Sequence, residues 1–159
     1  MSPSQQSFHK SITSLPSFWW YMLKNLPSVI FWGSRLKKLD LLECHTTVPF
    51  NYRTKNPFRS IYFSALSGTA ELASGILCML HLSDSPSISM LVTGFKADFS
   101  KKANQTVTMK CKEGKKISEA IEKLQVSGNV ETVKVPVTGY HPDGNIVATF
   151  EITWSFKKR

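Results

Sequence analysis

The sequence predicts an α+β chain in which an antiparallel sheet wraps around one long buried helix. Three observations predict it. Residues 60–80 contain no proline and a single charged residue, Glu71, as in a helix that is apolar nearly all round and therefore central. Much of 90–156 follows a period of two, as half-buried strands do. Asp143-Gly144 separates two such runs, which is the signal of a hairpin turn.

The chain has 159 residues, 42% of them hydrophobic and 19% charged. One domain is the expectation, and a chain of this size buries about 70% of its extended surface. A core can therefore form without disulfides or a structural metal. Disorder, collagen and a two-domain enzyme are excluded as classes by the same numbers.

Taken in order, residues 1–16 are rich in Ser and Gln and read as a flexible tail, so that the domain proper spans 17–159. Residues 17–33 are apolar and aromatic but interrupted by Lys24, Asn25 and Pro27. A proline ends or kinks a helix, so this stretch reads as a short helix, a break and a second apolar piece, together a lid or brace on the core; the alternative, an interfacial membrane anchor, fits the sequence less well because the polar face is not basic. Two short strands follow between Leu36 and Phe50, joined near Leu42, and then a loop over 51–57. After the long helix, Leu91, Thr93, Phe95, Ala97 and Phe99 alternate as one strand face, and Val107, Met109 and Cys111 as another. Ile117, Ala120, Ile121 and Leu124 stand at helical spacing, predicting a short amphipathic helix. Val133, Val135 and Val137, then Ile146 through Phe156 in alternation, complete the hairpin.

The net charge is +9. Its main sources are the lysines of 96–116 and the tail Lys157-Lys158-Arg159. No arginine-rich helix or aromatic-basic RNA signature accompanies them, so nucleic acid is not an expected partner. Solvated lysines, with some attraction for a phosphate-bearing small molecule, fit better. Cys44, Cys78 and Cys111 are far apart in sequence and lie in apolar runs, which reads as reduced, buried thiols. His9, His45, His81 and His141 are scattered, and no metal site is expected. The chain shows no signal-peptide pattern and no segment read as a membrane span. A cytoplasmic location is the default.

The informative charge is Glu71. On a helical wheel it shares a strip with Ser64, Ser67, Gly68, Ser74, Gly75 and Cys78, while Ile61, Ala65, Leu72, Ile76 and Leu80 form the opposite, core-facing side. Small residues let a backbone or a ligand approach closely. An unpaired carboxylate there is costly. Three readings stand side by side: a structural acid that is hydrogen-bonded or paired with an arginine, an acid exposed to solvent, and a general base at a cleft.

Asn56 followed fifteen residues later by Glu71, on a helix rich in Ala, Gly and Ser, resembles the central motif of hotdog-fold acyl-CoA thioesterases of the phenylacetyl-CoA thioesterase type. Asn-Pro-Phe-Arg-Ser-Ile-Tyr-Phe at 56–63, Ala-Glu-Leu-Ala-Ser-Gly at 70–75 and the last strand, Ala148 to Lys157, resemble an uncharacterised hotdog family grouped with thioesterases. The resemblance covers about residues 17–157. It implies a curved antiparallel sheet around the long helix, with an N-terminal helical extension, in subunits that pair sheet edge to sheet edge as a homodimer or a dimer of dimers.

The implied chemistry is hydrolysis of an acyl-CoA thioester at the dimer interface, with CoA as part of the substrate and no cofactor. Glu71 would be the base or nucleophile, contributed by the partner's helix, and Asn56 would orient water or thioester. Arg59, Ser60, Ser64, Ser67 and Gly68 would surround the oxyanion and position the substrate. Arg53, Lys55, Lys101 and Lys102 are the candidates for the CoA phosphates. The chain departs from the motif at Phe58-Arg59, where such enzymes carry His-Gly, and at Phe63-Ser64, where they carry Gly-Gly. Arg59 would supply a donor to an anion or pair with Glu71. The alternative class is a non-catalytic hotdog module that binds an acyl or CoA-type ligand, or a structural dimerisation domain.

Overall fold

The computed structural model describes all residues, Met1–Arg159. Three helices open the chain: α1 (Pro3–Thr13), α2 (Leu15–Asn25) and α3 (Pro27–Trp32). The tail expected over 1–16 is therefore largely helical. Its start is fixed by a capping box, in which the Ser2 hydroxyl accepts from the Gln5 N–H and the Gln5 side chain accepts from the Ser2 N–H, satisfying two otherwise orphaned donors. Ile12 anchors α1 in the core. Pro27 separates α2 from α3 as expected, sitting in the first turn of α3, where its missing N–H costs nothing.

Strands β1 (Arg35–Leu39) and β2 (Cys44–Val48) form a hairpin. The long helix α4 (Phe63–Leu82) follows, then β3 (Ile88–Phe99), β4 (Val107–Cys111), α5 (Gly114–Ser127), β5 (Glu131–Tyr140) and β6 (Ile146–Lys158). All strands pair antiparallel in one sheet of order β1-β2-β4-β5-β6-β3. The α4 side chains Ala65, Leu72, Ile76 and Leu80 are fully or almost fully buried, but the two expected faces are not divided between core and surface: Leu72 and Ile76 meet α2, while Ser74 and Gly75 of the small strip meet Trp154 of β6 and Cys78 is fully buried. In length and composition α4 would reach across a bilayer, a match the sequence reading passed over; most of it is buried as the core helix of this domain.

One strand departs from its expected face. A bulge between Val92 and Gly94 shifts the register of β3 on β6. As a bulge adds one residue to one strand, Met90 and Val92 share the inner face with Phe95, Ala97 and Phe99, opposite buried Phe156, Trp154, Ile152, Phe150 and Ala148. Leu91 points outward instead. β3 is also an edge strand, and Phe95 and Phe99 remain 45% and 47% exposed.

The two edges differ. β1 carries Arg35, Lys37 and Lys38, and His9 of α1 donates through Nε2 to the carbonyl of Leu39. Edge charges and occupied carbonyls discourage pairing with another strand. β3 is long and bears apolar Leu91, Phe95 and Phe99.

Candidate active site

The sequence-derived residues fall into two clefts. The first, of about 500 Å³, lies between the 56–63 loop, the start of α4 and the 99–103 segment, and is lined by Asn56, Phe58, Ser60, Phe63, Phe99 and Lys101 among others. Asn56 knots the loop. Its Oδ1 accepts from the N–H of Phe58 at 3.0 Å and of Ser60 at 3.2 Å, and its Nδ2 donates to Ser60 Oγ at 3.0 Å. Arg59 takes φ 61°, a left-handed conformation rare outside glycine, and its side chain is exposed and without an ion-pair partner in the chain. This loop delivers the chain to α4, whose N-terminus no side chain caps. The N–H groups of Phe63 and Ser64 therefore stay free at the positive end of the helix.

Aromatic rings line the way inward. Tyr62 and Phe63 lie 4.9 Å apart, Phe63 and Phe99 6.4 Å, and Phe99 and Phe150 5.8 Å, all edge to face. Phe58 and Phe63, which replace the motif's smaller residues, make this cleft apolar at its mouth.

Glu71 lies in the second cleft, of about 190 Å³, between α2, α4 and β6, with Tyr21, Met22, Leu26, Met79 and Trp154. Its carboxylate makes no hydrogen bond or ion pair in the chain, and burial alone pushes its pKa above the ordinary glutamate value. Asn56 and Glu71 thus do not meet within one subunit. The small residues beside Glu71 admit two indoles of the same chain: a methyl at Gly68 would stand 2.5 Å from the Trp32 ring, and one at Gly75 3.4 Å from Trp154. Ser64 and Ser67 are half-buried on the same helix.

The four cationic candidates divide likewise. Lys101 and Lys102 line the Asn56 cleft, with Lys101 Nζ donating to Asn145 Oδ1 at 2.9 Å. Lys55 Nζ sits 4.8 Å above the Tyr52 ring. Arg53 belongs to a separate cleft with Arg35 and Lys37.

The cysteines, His45 and His81 have evident roles in packing or hydrogen bonding, whereas Nε2 of His141 is buried without a hydrogen-bond partner. The cysteines are buried and unpaired, and burial raises all three thiols, that of Cys111 to about 12, so none is a nucleophile. His45 bonds Glu43 at 2.7 Å, and His81 Nε2 donates to the carbonyl of Leu41 at 3.0 Å. The sequence reading missed Tyr21, Met22, Leu26, Trp32 and Trp154 as neighbours of the Glu71 strip. The signal was present in the seven-residue interval between Gly68 and Gly75, which leaves two gaps on one helix face for large rings to fill.

With the geometry in place, the family model for a domain of unknown function, DUF4442, matches residues 17–156. The chain belongs to the DUF4442 family. No curated protein matches it. Its structure is similar to that of a Pseudomonas aeruginosa protein described as a probable thioesterase, with a TM-score of 0.76 at 18% identity over 87% of this chain and 93% of the other. A Haemophilus influenzae thioesterase superposes with a TM-score of 0.66 at 13% identity, over 86% and 87% of the two chains. A variant of a Staphylococcus aureus thioesterase gives 0.64 at 13% identity, over 82% and 98%. At these identities the likeness establishes the fold: this DUF4442 chain is a hotdog domain, with the curved antiparallel sheet and long central helix of those structures.

Proposed function

We propose that the chain is one subunit of a thioester hydrolase acting in the cytoplasm on an acyl-CoA-type substrate, at a site shared between two copies. The observation that carries this reading is the Glu71 carboxylate, desolvated, without a partner and set in a cleft. The free apolar edge of β3 is the surface along which a second copy pairs, bringing one subunit's Glu71 toward the other's Asn56 loop.

In that arrangement Glu71 takes a proton from water as the water oxygen attacks the thioester carbonyl. The N–H groups of Phe63 and Ser64 stabilise the oxyanion. Collapse breaks the C–S bond, and the proton passes from Glu71 to the leaving thiolate, giving a carboxylic acid and a free thiol. Lys101 and Lys102 at the mouth attract the phosphates of CoA, and the Phe63–Phe99–Phe150 series receives the acyl group.

A second reading has its own support. Asn56 Oδ1 is engaged by its own loop, and Phe58 and Phe63 crowd the mouth, which suits a module that binds an acyl ligand without cleaving it. Hydrolysis of short, long and aromatic acyl-CoA substrates by wild type, Glu71→Gln and Asn56→Ala separates the two. The hydrolase reading expects Glu71→Gln to lower kcat by about 10²-fold or more. Equal, slow hydrolysis by wild type and Glu71→Gln, together with a ligand-induced rise in melting temperature, supports the binding module and removes the hydrolase.

A further inference from the structure

The N-terminal helices turn large apolar side chains to solvent on a face the hydrolase reading does not use. Trp20 is 72% exposed, Leu23 54% and Phe31 59%, while Phe18 and Met22 hold α2 to the core. At about 100° per residue, Trp19, Leu23 and Trp20 run in that order around α2 from one flank to its outermost line, with Lys24 just beyond it. Tyr21 and Asn25 lie on the other flank, which borders the Glu71 cleft.

Trp19 marks the first flank. It lines a cleft of about 350 Å³ with Arg35 and Lys37 of β1 and Arg53 of the following loop. No acidic residue lines this cleft, and none of the three cations is ion-paired. Arg53 lies close over Gly33, where a methyl would stand 2.9 Å from its guanidinium Nη2. The sequence adds to this asymmetry. Residues 1–39 contain Lys10, Lys24, Arg35, Lys37 and Lys38 and no Asp or Glu.

The geometry points to a peripheral membrane-docking face: Trp20 and Leu23 of α2 enter the interfacial layer of an anionic bilayer while Arg35, Lys37 and Arg53 take the phosphate of a lipid headgroup. Tryptophan favours that layer because its ring is apolar and its N–H is polar. Shallow apolar insertion and a cluster of cations reinforce each other at an anionic surface. The helix alone hides the pattern, since Lys24 is its one basic residue and the cation cluster comes from β1 and the loop after β2. Charge argues against a second copy as occupant, because a two-fold contact would set one cation cluster against its twin. β1 is also the edge opposite β3, so pairing through β3 leaves this face open. The inference does not depend on the hydrolase reading.

Sedimentation of the full-length protein with vesicles tests it, using phosphatidylcholine alone and phosphatidylcholine with about one-third phosphatidylserine. Binding to the anionic vesicles only, weakened by salt, is expected. Arg35→Gln, Lys37→Gln and Arg53→Gln each lower the partition constant about fivefold, and Trp20→Ser with Leu23→Ser lowers it about tenfold or more. Tryptophan fluorescence of the unmodified protein, quenched by bromine-labelled acyl chains, reports insertion without any substitution. Absence of binding to anionic vesicles overturns the proposal, as does unquenched fluorescence. So does self-association that Trp20→Ser with Leu23→Ser abolishes, which assigns the face to a second copy.

Discussion

Trp154 Nε1 donates a 3.0 Å hydrogen bond to Ser74 Oγ, whose own proton goes to the carbonyl of Glu71 at 3.0 Å. This relay joins β6 to the middle of α4 beside the one acid of the helix. Ser74 is fully buried, so removing its donor leaves a polar group poorly satisfied. Trp154→Phe is expected to destabilise the fold by about 2 kcal/mol, from the lost hydrogen bond and lost ring volume together. Urea denaturation measures it, and a midpoint equal to wild type refutes the structural importance of the relay.

Gly68 lies beneath Trp32. A methyl there overlaps the indole, and Gly68→Ala is expected to cost about 1–3 kcal/mol through forced movement of the ring. Trp32→Leu in the same chain relieves most of that cost. A double-mutant cycle in thermal denaturation reads the coupling, and strict additivity would refute the contact.

Burial raises the Glu71 pKa above its unfolded value. The sign follows from linkage: its contribution to stability is fully present below the unfolded pKa and declines as pH rises through the folded one. Glu71→Gln, which cannot ionise, is therefore expected to melt above wild type at pH 7, with the difference shrinking as pH falls toward 4. Melting temperatures across that range check it; a difference independent of pH contradicts the desolvation argument. A second copy donating a cation to Glu71 would reverse the sign at neutral pH.

Gly114 starts α5 in a place with no room for a side chain. A methyl would come within 1.9 Å of the carbonyl oxygen of Leu41 and 2.8 Å of the Leu42 Cα, both backbone atoms. The Gly114 N–H also donates to the Leu42 carbonyl at 3.0 Å. Gly114→Ala is expected to lose about 3 kcal/mol or more, visible as reduced soluble yield and a lowered melting temperature. Gly128→Ala is a control of a different kind, with open space around it but a left-handed φ of 70°, and is expected to cost about 1 kcal/mol.

Leu91 and Phe95 are exposed on the free edge strand. If two copies pair along β3, Leu91→Lys with Phe95→Lys converts the dimer to monomer in analytical ultracentrifugation while the far-ultraviolet circular dichroism stays unchanged. An unchanged mass for a dimeric wild type would place the contact elsewhere.

The elements that follow one strong local pattern were legible in the sequence. α4 follows from a long run with one charge and no proline, and the β5–β6 hairpin from its valines, its Asp143-Gly144 turn and the alternation ending at Phe156. α1 was missed because its composition is polar, although Ser2 and Gln5 already spell a capping box. The phase of β3 was missed because a bulge interrupts alternation without changing composition. For the site, Glu71 and its strip of small residues were evident, but its neighbours were not. Tyr21, Met22 and Trp154 come from elements remote in sequence, and only tertiary packing brings them to α4.

The unequal edges of the sheet also set a limit on growth. With β1 closed by charge and by His9, and β3 open, each chain has one free valence for strand addition. Two chains joined through it have none left, so the same surface that permits association also ends it, and the long apolar edge need not lead to fibres.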